Sequence, residues 1–181
     1  MTKLIIAAFT LFLLVNCSFT SDIDSLLNKL TSNDVLPDTQ ALYELIKIGT
    51  PTIQPAVDKL NKEKDPWKQQ YYLILLYNIA NEDTTNDILP FAESKNGNVR
   101  EWAIFVLGKI GNQNSIEALI NSLSDPAVED SAKEKAVQRL QYLTGQIIPY
   151  KKSMSFKEKK SAITEWQNFL NKPNKTIKKD V

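Results

Sequence analysis

Apolar residues recur along most of the chain at helical spacing. Ile23, Leu26, Leu27 and Leu30 fall at i, i+3, i+4 and i+7, the stripe of an amphipathic helix. Val99, Trp102, Ala103, Val106, Leu107 and Ile110 repeat that spacing. No segment alternates apolar and polar residues long enough to predict a strand. The run Tyr71-Tyr-Leu-Ile-Leu-Leu-Tyr77, with Trp67 just before it, is apolar nearly all round. That pattern predicts a helix covered on several sides. Trp67, Trp102 and Trp166 are each expected on the apolar side of a helix and serve as core packing or, at an interface, as aromatic anchors.

Boundary signals agree with helices. Asp65-Pro66 and Asp125-Pro126 each predict an N-cap followed by proline in the first turn. Ser155-Phe-Lys-Glu158 has the form of a capping box. Gly49, Gly111 and Gly145 close helical runs and can take the left-handed conformation that ends a helix.

A repeat follows from these boundaries. Leu45-Ile-Lys-Ile-Gly49, Leu76-Tyr-Asn-Ile-Ala80 and Leu107-Gly-Lys-Ile-Gly111 share one pattern, with closing residues 31 apart. Leu143-Thr-Gly145 continues it after a longer step. A second, shorter helical run follows each of the first three, at 53–60, 87–92 and 116–123. Helix pairs of this period stack, because one pair alone cannot bury its apolar face.

The segment Asn98-Val-Arg-Glu-Trp-Ala-Ile-Phe-Val-Leu-Gly-Lys-Ile-Gly111, with Ile116-Glu-Ala-Leu-Ile-Asn-Ser-Leu123 and Asp125-Pro126, resembles a HEAT repeat. More narrowly, it is similar to the short bacterial form related to phycobilisome-lyase repeats. Val99, Arg100, Ala103, Leu107, Gly108, Ile110 and Gly111 stand where that pattern expects them. Leu143-Thr-Gly-Gln146, with Trp166 in a closing helix, resembles the end of bacterial HEAT domains. The resemblance spans residues 38–170, and Ala80 departs from it where a glycine is expected. It implies an all-α fold: a short right-handed α-solenoid of stacked antiparallel helix pairs, with three to four repeats and a C-terminal capping helix. Gly49, Arg100, Trp102, Gly108 and Gly111 are then structural repeat positions. Arg100 is expected to pair with an acidic group of the neighbouring repeat, and the second helices to line the concave face.

On that face, removing apolar positions leaves Gln54 and Asp58, Asp87 and Ser94, and Glu117 and Asn121 as candidate partner-binding residues. Asp58, Asp87 and Glu117 would form an acidic ladder suited to a basic peptide or protein segment. The bland alternative is a solvated helix face.

The N-terminal end reads as an address. After Lys3, Leu4 to Val15 is uncharged and mostly apolar. It matches a signal-peptide core and is shorter than the roughly 20 residues of a spanning helix. Leu14-Val15-Asn16-Cys17 resembles the bacterial lipobox, in which the cysteine becomes a lipidated N-terminus. Asn16 departs from that motif, where Gly, Ala or Ser is usual. Ordinary signal cleavage after Cys17 is the alternative and would yield a soluble periplasmic or secreted protein. Lipidation is favoured because the only cysteine of the chain stands where a lipobox needs it. Two or more acyl chains anchor stably, and Ser18 leans by resemblance toward the outer membrane. The expected organisation is a signal peptide at 1–16, a short tether at 17–21, the helical repeat domain at 22–170 and a flexible basic tail at 171–181.

Composition narrows the chemistry. The chain has no histidine, one cysteine and five glycines. This removes histidine-dependent nucleophilic catalysis, thiolate zinc sites and phosphate-cradling glycine loops. Adjacent carboxylates, Glu82-Asp83 and Glu129-Asp130, diverge by about 100 degrees on a helix and do not converge on one substrate. No catalytic residue, metal or cofactor is expected. The 22 basic and 21 acidic residues nearly balance, but unevenly: residues 151–181 carry net +6, and residues 17–150 carry net −6. The basic tail can meet anionic lipid. Export and the acidic repeats argue against a nucleic-acid partner.

The expected function is a protein-binding scaffold or adaptor of the cell envelope, membrane-anchored through its lipid. One alternative is a periplasmic immunity or inhibitor protein that neutralises a toxin or enzyme. Another is an accessory enzyme that handles a cofactor or chromophore. Cys17→Ser should abolish lipid labelling and release the protein from membranes. A variant that fractionates like the wild type contradicts the lipobox reading.

Overall fold

The computed structural model describes residues 22–32 and 36–172. The expected signal peptide, Cys17, the expected tether and most of the basic C-terminal segment lie outside the described residues. Among the described residues every regular element is helical. They are α1 (22–30), α2 (Thr39–Ile48), α3 (Ile53–Lys62), α4 (Pro66–Ile79), α5 (Thr85–Ala92), α6 (Gly97–Ile110), α7 (Gln113–Ser124), α8 (Asp130–Thr144) and α9 (Phe156–Leu170). Short 3-10 turns, Thr50–Thr52 and Glu82–Thr84, lead into α3 and α5.

The helices stack in two rows. In one row α4 packs against α2 and α6, and α6 packs against α8; in the other α7 packs against α5 and α9. The fold is a short HEAT-like solenoid. The closing helix is more than a cap: α9 takes the second-helix place of a fourth pair.

Two apolar clusters meet at α6. Val99, Ala103, Val106 and Leu107 join the cluster built on α1 to α5. Ile104 joins the cluster that runs through α7, α8 and α9 to Trp166 and Phe169. Half of α6 is buried, including Gly108 and Arg100. In α4, Tyr71, Tyr72, Leu73, Leu75 and Leu76 are buried, as its apolar run predicts. Trp67 is a correction: it is 53% exposed, in a first turn of α4 that has no buried residue.

The 31-residue period also governs the polar groups. Asp65 and Asn96 cap α4 and α6 through their side chains. Asn81 and Asn112 do the same for the following 3-10 turn and α7. Gln69 donates to the carbonyl of Glu63, and Arg100 donates to that of Ser94 at 2.6 Å. Arg100 also donates to the carbonyl of Ala127 in the next interhelical turn. Here too the expectation needs correction: the buried guanidinium satisfies two turn carbonyls and pairs with no carboxylate among the described residues. It thereby fastens the α5–α6 turn to the α7–α8 turn.

Two boundary readings differ in detail. Asp125-Pro126 does not start a helix. Asp125 closes α7, and its carboxylate accepts from the Ala127 N–H at 2.8 Å, so the proline sits in a turn. The helix starts later, at Asp130. Gly111 and Gly145 are left-handed as expected, whereas Gly49 combines φ 76° with ψ −134°. The capping box of Ser155 and Glu158 is present at α9.

Two substitutions test this packing. Arg100→Met strands two carbonyls and should cost about 1–3 kcal/mol in chemical denaturation; an unchanged midpoint contradicts the fastening role. Gly145→Ala should cost only the left-handed strain, about 1 kcal/mol. Gly111→Ala should cost clearly more, since its Cβ would also lie 2.6 Å from a Leu143 methyl. Equal losses contradict that ranking.

Candidate functional site

The second-helix row carries a groove of about 590 Å³ between α5 and α7. Leu89, Pro90, Ala92 and Ala118 supply its apolar lining. Glu93, Glu117 and Asp125 bring three carboxylates to it, with Asn114, Asn121 and Ser122 between them. None of the three carboxylates has an ion-pair partner among the described residues. Glu117 accepts from Gln113 one turn earlier at 2.7 Å, which holds its carboxylate in place.

Helix polarity concentrates the negative field. Glu93 and Asp125 are the C-caps of α5 and α7, and neither helix has a basic residue in its last turn. Carboxylates beside the negative end of a helix dipole are unfavourable by a few tenths of a kcal/mol or more. The first-helix row is arranged oppositely. Lys109 donates to the Asn78 carbonyl at the end of α4, and Arg139 donates to the Gly108 and Lys109 carbonyls near the end of α6. In both cases the cation comes from the next repeat.

The sequence-predicted residues divide. Glu117 and Asn121 line the groove. Gln54 and Asp58 are exposed on α3, bonded to each other at 2.9 Å, and do not reach it. Asp87 is half-buried in the first turn of α5 and also lies outside it. Ser94 is in the turn after α5, where its hydroxyl accepts from the Asn96 N–H and its carbonyl from Arg100. It therefore braces the turn. The structure does not bring Asp58, Asp87 and Glu117 to a common groove; Glu93 and Asp125 join Glu117 instead. Sequence reasoning missed both because it followed the helical stripe, and they lie just past its end. Their signal was a shared one: each closes a second helix.

A separate polar clasp joins α8, α9 and the strap between them. Asp130 accepts from the Tyr150 hydroxyl at 2.7 Å and pairs with Lys159 at 2.6 Å. The Lys159 hydrogen bond, then that of Tyr150, holds the Asp130 carboxyl below the usual aspartate range. Burial, with Asp130 beside it, pushes the Tyr150 phenol up. Burial also lowers the Lys133 ammonium, against the pull of Asp130 and Asp125. The clasp is a brace: Asp130 is committed to it, and Glu129 beside it is exposed. Among the described residues no group of three or more Cys, Asp or Glu could hold a metal ion, and no helix is long and apolar enough to cross a membrane.

Residues 53–141 match the family of HEAT repeats. The match runs from α3 into α8 and includes both walls of the groove. No curated protein matches the sequence. HEAT repeats in general mediate protein–protein interaction, and the match favours a scaffold over an enzyme.

The clasp makes a pH prediction. The folded-state pKa of Asp130 lies below its unfolded value of about 3.9, so its contribution is complete above that value. It is lost as pH falls through the folded-state pKa. Asp130→Asn should therefore lower stability at neutral pH and flatten the acid limb of the stability curve. Parallel curves for variant and wild type contradict this.

Proposed function

We propose that this protein is a binding scaffold whose second-helix face takes up a basic segment of a protein partner. The observation that carries the reading is the α5–α7 groove, where three carboxylates meet, two of them at helix C-caps. A lysine or arginine entering there gains charge-assisted hydrogen bonds and relieves the repulsion between Glu93, Asp125 and their helix ends. The apolar lining accepts the stem of such a side chain. A groove already ordered by α6 and the interhelical turns costs less conformational entropy on binding than one that must form.

In this reading the protein is exported and held at the outer membrane by a lipid on Cys17, so that it presents the groove at the cell envelope. The lipobox-like Leu14-Val15-Asn16-Cys17 supports this part. The acidic groove also supports a narrower reading, an inhibitor or immunity protein that neutralises a basic exported enzyme or toxin.

A lysine-leucine octapeptide is a direct probe. In calorimetry it should bind the wild-type protein and weaken as salt rises. Glu93→Lys/Glu117→Lys should lower the affinity by about tenfold or more while circular dichroism stays helical. Equal binding to both proteins, or to neither, contradicts the assignment.

A further inference from the structure

We propose that the first-helix row carries a second docking groove, and that its occupant is an acidic protein segment bearing one aromatic or large aliphatic side chain. The proposal rests on the scaffold reading but concerns the other row of helices and the opposite charge.

The groove exists because one side chain is missing. Tyr77, Gly108 and Arg139 are spaced 31 residues apart and lie on the neighbouring helices α4, α6 and α8. Gly108 leaves a gap between its two larger counterparts. Its absent Cβ also admits Arg139, whose Cγ would lie 3.1 Å from such an atom. The result is a groove of about 540 Å³ over the apolar side chains of Ile104, Leu119 and Ala136. Trp102 and Phe105 form its aromatic wall. Trp102 meets Tyr77 edge-on at 6.1 Å and Phe105 edge-on at 5.6 Å. Tyr77 is exposed, and Trp102 and Phe105 are half-buried.

Cations rim this apolar slot. The Lys109 ammonium lies 5.3 Å from the Tyr77 ring centre, and that of Lys135 lies 4.7 Å from the Phe105 ring centre. Arg139 is the third. Among the described residues, the only carboxylate paired with a lysine of this rim is Glu101, 3.8 Å from Lys135 in a partly exposed pair. Such a pair is worth about 0–1 kcal/mol and exchanges readily for an arriving carboxylate. Lys109 uses one of its three N–H donors on the Asn78 carbonyl. An apolar slot with a cationic rim fits an apolar anchor flanked by carboxylates, and tryptophan, tyrosine and arginine are the residues in which binding energy concentrates. A nucleic acid fits less well. Its phosphates need a continuous cationic track, whereas residues 17–150, this cluster included, carry net −6.

The test uses the full-length protein and an acetylated octapeptide of Glu and Asp around one Phe. Saturable binding should shift the emission of Trp102, the one tryptophan lining the groove. Affinity should fall by about tenfold in Lys109→Glu/Lys135→Glu, at two exposed positions, and similarly when Ala replaces the peptide's Phe. Lys109→Gln/Lys135→Gln gives the same readout if the reversal perturbs folding. The lysine-leucine octapeptide should bind these variants as it binds the wild type. No binding of the acidic peptide, equal binding by the variants, or indifference to the Phe overturns the proposal. So does tighter binding of an oligothymidine of equal charge, or self-association through this groove in ultracentrifugation. Failure of the acidic peptide alone leaves the acidic groove standing; failure of both peptides removes the scaffold reading too.

Discussion

Burial of α6 from two sides is the constraint on which the rest of the structure depends. No pair in this stack can cover its own apolar stripe, so each contributes faces that only neighbours can complete. α6 does this in both directions, giving Val99, Ala103, Val106 and Leu107 to one cluster and Ile104 to the other. A buried Leu or Ile side chain contributes about 1.5–3 kcal/mol, so these contacts join two half-cores into one. Arg100, at the start of the same helix, ties the turns on either side through their carbonyls.

The same stacking decides where charge is left over. In the first-helix row, the cation of one repeat neutralises the carbonyl end of the preceding helix: Lys109 for α4 and Arg139 for α6. In the second-helix row Arg100 reaches only the turn carbonyls of Ser94 and Ala127 beyond α5 and α7, and acidic residues occupy the caps. The two rows therefore differ electrostatically. One row offers an acidic groove and the other an aromatic slot with a cationic rim, both built from surfaces the stack has already ordered.

Much of the architecture was legible because helices write their period locally. The apolar stripes, the 31-residue step, the closing glycines and the capping box all depend on residues near in sequence. The misreadings fall where distant contacts decide. Asp125-Pro126 satisfies helix-start chemistry, yet the pair forms a turn, and α8 starts only after Val128 has joined the core. Arg100 met carbonyls because the next turn comes to it. Trp67 is apolar by type and exposed by position. The candidate site was half legible. Glu117 and Asn121 follow from the helical stripe, but Glu93 and Asp125 lie beyond it. The slot at Gly108 needs three helices side by side, which no single segment shows.

Native-state hydrogen exchange reads directly whether α6 holds the two half-cores together. Amides of α6 should exchange only through global unfolding, with the highest protection in the chain, while α1 and the end of α9 open more easily. Protection in α6 lower than in α2 or α8, or two halves that open independently with α6 following one of them, would contradict the account.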